Sequence, residues 1–197
     1  MRILRTLFIS LFLLTNSVEA YSTDPKEFVY EMVSDVIEKL SSNNLTDEQK
    51  KLFIENLALE NVDIKALGLY TLGELRKSAN KEDIERYQQT FKKYFLKSLT
   101  SRLKDYSKSK FEITDVEKKS TNYSIVSSII TPQDGNPKIN IDWRVYTKNP
   151  DKPLIRDLIV EGLSLARTQK EEFSSILSAN NNEINILISK LEEFVNK

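Results

Sequence analysis

The sequence predicts an α+β fold in which a series of helices precedes an antiparallel β-meander and two further helices follow it. Apolar residues recur at helical spacing up to about residue 106, whereas between residues 110 and 161 they alternate with polar ones. Helical spacing returns after Gly162. This segregation is typical of a single domain, and we expect a curved four-stranded antiparallel sheet covered on one face by about six helices.

The first twenty residues have the layout of a secretory signal peptide. Arg2 and Arg5 form a basic n-region, residues 7–14 form an apolar h-region, and residues 18–20 provide a small-residue cleavage site. The apolar segment is shorter than the roughly 20 residues that a transmembrane helix requires. We therefore expect residues 1–20 to be a cleaved signal peptide and residues 21–197 to form one exported domain.

Capping signals mark the helices that precede the strands. The segment DPKE (24–27) places a capping Asp before a first-turn Pro and a Glu, and TDEQ (46–49) forms a capping box. A third helix is expected from about Asp63 through Leu75, and a long fourth helix from Asn80 to about Tyr106. Each predicted helix carries one apolar stripe.

Four short β-branched segments follow, and each alternates apolar with polar residues: FEITDVE, YSIVSSII, INIDWRVY and LIRDLIVE. Turn-forming residues at 131–137 and 148–153 connect the last three of them. Such short links between consecutive strands predict an antiparallel meander. The closing helices are expected from about Ser164 and after Asn182.

The composition excludes several classes of function. Removing Arg2, Arg5 and Glu19 from the 29 basic and 29 acidic side chains leaves 27 and 28, so the predicted mature chain is nearly neutral and suits nucleic acid poorly. The chain has no histidine and no cysteine, which excludes Ser-His-Asp and Cys-His catalysis and argues against a zinc site and against disulfides. Carboxylate pairs and a Ser-Lys dyad remain open, although no spacing singles one out.

One set of motif residues surrounds the exit of the fourth strand, and others lie upstream. They comprise Asp157, Val160-Glu161-Gly162-Leu163-Ser164 and Phe173, together with Leu72-Gly73, Ala79, Glu82 and Asp142-Trp143. In these residues, and in the order of its elements, the chain resembles the MlaC-type periplasmic phospholipid-binding proteins, also called the toluene-tolerance family. The chain departs from the family pattern at Leu75-Arg76 and at Pro153, where aromatic residues are usual.

This resemblance implies a function for nearly all of the predicted mature chain. It implies a periplasmic carrier that shuttles phospholipid between an outer-membrane lipoprotein complex and an inner-membrane Mla-type ABC transporter complex, with only transient membrane contact. It implies no catalysis, cofactor, metal or nucleic acid. The fold would be a cone of the cystatin/NTF2-like type, with a hydrophobic cavity between the sheet and the helices.

Apolar residues on one sheet face and on the facing helices are the candidates for lining that cavity. The predicted lipid-binding residues are Leu69, Leu72, Phe91, Phe95, Leu99, Ile141, Trp143, Val145, Leu158, Val160 and Leu163. The residues expected to have a structural part in the motif are Gly73, Asp157, Glu161, Gly162, Ser164 and Phe173. Periodicity alone does not distinguish a filled core from a cavity, so the cavity rests on the resemblance.

Three other functions are compatible with the sequence. The same fold would suit a hopanoid or another polycyclic lipid, and a filled core would suit a pure interaction module. An enzyme would have to use ionisable residues on the strands, namely Asp142, Arg144, Arg156 and Asp157. A lysine cluster that would attract lipid phosphate, or simply form a solvated face, comprises Lys104, Lys108 and Lys110.

Overall fold

A computed structural model describes residues 21–103, 109–133, 135–147 and 152–197, without the side chains of residues 102 and 103. The expected signal peptide, Lys104, Tyr106 and Lys108 lie outside the described residues.

The order of helices and strands confirms the α+β fold. The helices are α1 (Pro25–Ser41), α2 (Asp47–Asn61), α3 (Ile64–Thr71), a 3₁₀ helix (Gly73–Lys77), α4 (Lys81–Leu103), α5 (Leu165–Ser178) and α6 (Ile184–Asn196). The strands are β1 (Ser109–Ser120), β2 (Tyr123–Pro132), β3 (Ile139–Tyr146), β4 (Leu154–Val160) and β5 (Leu163–Ser164). The described sheet therefore has five strands in the order β1-β2-β3-β4-β5, one more than the sequence predicts.

The capping signals of the first two helices are confirmed. Asp24 accepts hydrogen bonds from the backbone N–H groups of Lys26 and Glu27, at 2.9 and 3.1 Å. Thr46 and Gln49 form the expected capping box, because each side chain accepts a hydrogen bond from the backbone N–H of the other residue, at 2.9 and 3.2 Å. These bonds satisfy N–H groups that a helix start otherwise leaves without partners.

The predicted extent of the third helix is wrong. The α-helix ends at Thr71, Leu72 is its C-cap, and Leu75 lies in the separate 3₁₀ helix. Gly73 has a φ of 63°, in the left-handed region that breaks an α-helix and that glycine adopts at little cost. The sequence pattern did not reveal this break because apolar spacing continues across it.

Bulges bend the antiparallel sheet. Its pairing shifts between Ile113 and Asp115 and between Lys118 and Ser120 in β1. It shifts again between Arg144 and Val145 of β3, where β4 has an extra residue. Each bulge adds a residue to one strand and increases the local twist and bend. The sheet can therefore curve around the helices, as expected from the sequence.

The apolar interior is divided into two clusters. The sheet cluster joins buried residues of α1 to the sheet and comprises Phe28, Val29, Met32, Val33, Val126, Val145 and Ile155. The helical cluster comprises Ile64, Leu72, Tyr87, Phe91, Phe173, Leu177, Ile184, Leu187, Ile188 and Leu191. Val62 packs against both clusters. The buried residues therefore form a helical and a sheet cluster that meet at Val62.

The start of α3 connects the helices to the sheet. Val62 forms a parallel β-bridge with Ile155, and the Asp63 N–H donates to the Ile155 carbonyl oxygen at 2.9 Å. The Asp63 carboxylate also accepts a hydrogen bond from the Arg156 guanidinium at 3.0 Å and caps α3 through the Ala66 N–H. Helix α4, by contrast, packs mainly on α6, α3 and α2.

We expect the helical cluster to make the protein sensitive to alkaline pH. Tyr87 is fully buried, with its hydroxyl 2.8 Å from that of Thr71, and burial raises the pKa of this tyrosine above its ordinary value. A raised pKa in the folded state stabilises the fold below the unfolded pKa of about 10, and this stabilisation disappears as the pH rises through the folded pKa.

The free energy of unfolding, measured in urea at several pH values, should therefore fall above pH ~10. The fall should be smaller in a Tyr87→Phe variant. An identical pH profile for the two proteins would contradict this role of Tyr87.

Candidate functional site

The eleven predicted lipid-binding residues differ in their exposure to solvent. Leu72, Phe91 and Val145 are 2%, 2% and 0% exposed, and Ile141 is 9% exposed. Leu163 is 63% exposed. The remaining six are half-buried, namely Leu69, Phe95, Leu99, Trp143, Leu158 and Val160. These six residues, like Leu163, keep part of their apolar surface outside the packed core.

The structure groups several of the predicted residues by layer. Leu72 and Phe91 belong to the helical cluster, and Phe95 packs against it. Val145 belongs to the sheet cluster, where Trp143 and Leu158 pack against it. The predicted lining thus draws on both sides of the divided interior, and its contact with lipid stays a prediction.

The inner face of the sheet carries a broad apolar surface around Trp143. In the sheet register Trp143 lies between Val126 and Leu158, so these three side chains share one face. The indole Nε1 donates a hydrogen bond to the Ser128 hydroxyl at 2.9 Å. Ser128 is 2% exposed and donates in turn to the Ile141 carbonyl oxygen at 3.0 Å. Because the indole N–H of Trp143 is already hydrogen-bonded to Ser128, the rest of the ring is free to make apolar contacts.

Asp157 ties the end of β4 to the start of α5. Its buried carboxylate accepts hydrogen bonds from the Ser164 hydroxyl at 2.6 Å, the Ala166 N–H at 2.9 Å and the Arg144 guanidinium at 3.2 Å. Ser164 also caps α5, because its hydroxyl oxygen accepts a hydrogen bond from the Arg167 N–H at 3.1 Å.

The turn between β4 and β5 adopts an uncommon backbone. Glu161 and Gly162 have φ values of 49° and 79°, both in the left-handed region. The Glu161 carboxylate accepts a hydrogen bond from the backbone N–H of Asn140, and the Glu161 N–H donates to the Asn140 carbonyl oxygen at 3.0 Å. These bonds hold the turn against the start of β3.

The other two motif residues belong to the helical side. Phe173 on α5 is 1% exposed, and its ring meets that of Phe91 edge-on at 6.3 Å. Gly73 provides the left-handed break described above. Both residues fix how helices pack, and neither offers exposed surface to a ligand.

Three of the four ionisable strand residues named above, Arg144, Arg156 and Asp157, form ion pairs between elements. Arg144 pairs with Asp157, and Arg156 pairs with Asp63 while its guanidinium lies 3.4 Å above the ring centre of Tyr146. Among the described residues there is no group of three or more acidic side chains arranged to hold a metal ion. The first pair joins β3 to β4, and the second joins β4 to the start of α3.

A groove of about 630 Å³ lies among the helices, away from the sheet. It is lined by Leu40, Asp47, Glu48, Lys50, Lys51, Ile54, Glu55, Lys93, Leu96, Lys97, Thr100, Ser101 and Val195, and none of these is a predicted lipid-binding residue. Lys50 and Lys97 donate to the carbonyl oxygens of Leu40 and Val195, at 2.8 and 3.0 Å. The groove mixes charges of both signs, and two of its lysines are already hydrogen-bonded to helix ends.

No sequence signal pointed to this groove, because its lining comes from four helices, α1, α2, α4 and α6, which meet only in the folded chain. Within the described ranges, no helix has the combination of length and apolar character needed to cross a bilayer.

Comparisons with known proteins agree with this architecture. A comparison with curated proteins gives no match. A phospholipid-binding protein from Ralstonia solanacearum, solved in complex with a phospholipid, is 19% identical and superposes with a TM-score of 0.74 over 88% of this chain and 99% of its own, which is a likeness of fold. The family model described as MlaC protein matches residues 30–193 and confirms the resemblance found in the sequence. The chain therefore belongs to the MlaC family.

Proposed function

We propose that the protein is a phospholipid carrier that holds acyl chains between its sheet and its helices. The observation that carries this proposal is the division of the apolar interior into two clusters, with half-buried apolar residues on both layers. Membership of the MlaC family and the fold shared with a phospholipid-bound protein support it.

The energetics of lipid transfer favour the half-buried apolar residues as the binding surface. Each methylene that is removed from water contributes about 0.8 kcal/mol of transfer free energy, so burying a sixteen-carbon acyl chain contributes roughly 13 kcal/mol. A headgroup hydrogen bond contributes only about 1 to 3 kcal/mol. A carrier must therefore offer apolar contact comparable to that of a bilayer. We expect Leu99 on α4 and Trp143, Leu158 and Val160 on the sheet, which are all half-buried, to supply part of it.

The ion pairs support binding over catalysis. Arg144, Arg156 and Asp157 each bond to a charged partner on another element, and these pairs brace the fold. A catalytic group has to be aimed at a substrate instead. The protein on this account binds and releases lipid without changing it.

We further propose that residues 1–20 direct export and are removed, and that residues 21–197 form a single domain in the periplasm. There it would collect phospholipid from, or deliver it to, an outer-membrane lipoprotein complex and an inner-membrane Mla-type ABC transporter complex. The order of elements and the family membership support this role.

Identification of the lipid that copurifies with the protein tests the proposal. Extraction with organic solvent followed by mass spectrometry should give about one diacyl phospholipid per chain, since a carrier must enclose most of its ligand's apolar surface. If the copurified lipid is a hopanoid or another polycyclic lipid, the protein is still a lipid carrier, but its ligand is not a phospholipid. Lipid-free protein that takes up no phospholipid from vesicles would contradict the carrier function itself.

A further inference from the structure

The first two described residues contact two carboxylates of α1. The Ser22 N–H donates a hydrogen bond to the Glu31 carboxylate at 2.7 Å, and the Tyr21 hydroxyl donates one to the Asp35 carboxylate at 2.8 Å. The Tyr21 ring packs against the sheet cluster and meets the ring of Phe28 edge-on at 6.2 Å. Residues 21 and 22 are therefore folded back along the first helix.

The two carboxylates form a local excess of negative charge. Glu31 and Asp35 are both half-buried and lie one turn apart on α1, where like charges repel each other. In the described part of the chain, neither of them pairs with a lysine or an arginine. Lys39, four residues after Asp35, instead pairs with Glu38 at 3.7 Å. A cation placed beside Glu31 would therefore be stabilised.

A third carboxylate, that of Glu60 on α2, adds to this field. Burial of Tyr21, the hydrogen bond from its hydroxyl to Asp35 and the charges of Asp35, Glu60 and Glu31 all raise the pKa of this tyrosine. The charged groups that act on Tyr21 are thus all negative, and they come from both helices that lie beside it.

The chain itself can supply the cation. The backbone N of Tyr21 is three bonds from the backbone N of Ser22, so it lies about 3 to 4 Å from the atom that is bonded to Glu31. In the uncleaved chain this N belongs to a peptide bond and carries no charge. Cleavage after Ala20, as proposed above, would turn it into an ammonium group, since an α-amino group has an ordinary pKa of about 8.

We propose that Glu31 binds the α-ammonium group of Tyr21 once residues 1–20 have been removed. Asp35 and Glu60 strengthen the negative field at this place. Removal of the first twenty residues fastens the new N-terminus to α1 and stabilises the packing of Tyr21 on the sheet cluster. The inference rests on the proposed cleavage after Ala20 and is independent of the lipid that the protein carries.

A comparison of two N-termini tests this ion pair. Both proteins are expressed with residues 1–20 and purified after export, and one of them has Gly-Ser-Gly inserted between Ala20 and Tyr21. The insertion turns the ammonium group of Tyr21 into an amide. The equilibrium constant of unfolding, measured in urea by Trp143 fluorescence, should be roughly threefold larger for the extended form, as expected for a partly exposed ion pair.

Glu31→Gln separates the charge from the hydrogen bond, because a glutamine oxygen can still accept from the Ser22 N–H. In this variant the insertion should leave the unfolding constant unchanged. Glu192→Gln is the matched control, since it removes an exposed carboxylate from α6. In the control the insertion should again raise the constant roughly threefold, because distant sites act independently.

Two outcomes of this comparison would overturn the ion pair. They are an equal effect of the insertion in the original protein and in Glu31→Gln, and no effect of the insertion in the original protein. Mass spectrometry of the exported chains tests the premise separately. A first residue other than Tyr21 in the original protein would contradict both the cleavage and the ion pair, whereas a chain that begins at Tyr21 but shows either of the two outcomes would remove the ion pair alone.

Discussion

Replacing Leu158 with glutamate should reduce phospholipid loading by roughly a hundredfold, because a carboxylate in an acyl-binding site costs about 3 kcal/mol or more. Leu158 is half-buried beside Trp143 on the inner face of the sheet. The variant keeps the backbone of β4 and the bonds of its neighbour Asp157. Loading is measured as lipid per chain after incubation with phospholipid vesicles, and thermal melting by circular dichroism checks the fold.

A matched control is available one residue further along β4. Ile159 is also half-buried but points to the opposite sheet face, because adjacent strand residues alternate. Ile159→Glu should therefore bind phospholipid as the original protein does.

A third variant, Thr100→Trp, fills the groove among the helices and should also bind phospholipid normally. Normal loading by Leu158→Glu together with lost loading by Thr100→Trp would move the lipid site to that groove.

The largest loss of stability is expected from Asp157→Ala. The side chain of Asp157 is 5% exposed and receives hydrogen bonds from β3, Ser164 and α5. Removing one partner of a buried ion pair typically costs about 3 to 5 kcal/mol, because the other charge is left without compensation. The Arg144 side chain is 39% exposed, so solvent partly compensates its charge when Asp157 is removed. We therefore expect the free energy of unfolding to fall by roughly 3 kcal/mol, at the lower end of that range.

Urea unfolding monitored by Trp143 fluorescence measures this loss. Asp115→Ala, which removes an exposed carboxylate from β1, should change the free energy of unfolding by less than about 0.5 kcal/mol. Ser164→Ala should lie between the two, because it removes a helix cap and one hydrogen bond to Asp157. If Asp157→Ala were as stable as Asp115→Ala, the junction of β4 and α5 would not depend on this carboxylate.

Much of the fold was predictable because the sequence patterns that mark its helices and strands lie within short stretches of the chain. The caps at Asp24 and Thr46 lie within three residues of the N–H groups that they satisfy, and alternation marked β1 to β4 over seven or more residues each. Ser164 was likewise recognisable as the cap of α5 from its place before a helical pattern. Such signals depend on short stretches of chain and need no knowledge of tertiary contacts.

Features that depend on distant partners were not predictable from one sequence. β5 is too short to show alternation and exists because it pairs with β4. The bond between Arg156 and Asp63 joins positions 93 residues apart. Leu163 is 63% exposed although its residue type suggested burial, and its position depends on the pairing of β5 with β4. Periodicity likewise did not show that the apolar residues form two clusters.

Quenching of Trp143 fluorescence by a phospholipid with brominated acyl chains tests the account most directly. Trp143 is the single tryptophan of the chain and lies half-buried on the inner face of the sheet, so its signal reports on that face alone. Because bromine quenches at close range, we expect the loaded protein to lose most of its fluorescence, while the same lipid without bromine leaves it unquenched. Full fluorescence in protein shown by mass spectrometry to hold the brominated lipid would contradict acyl binding between the sheet and the helices.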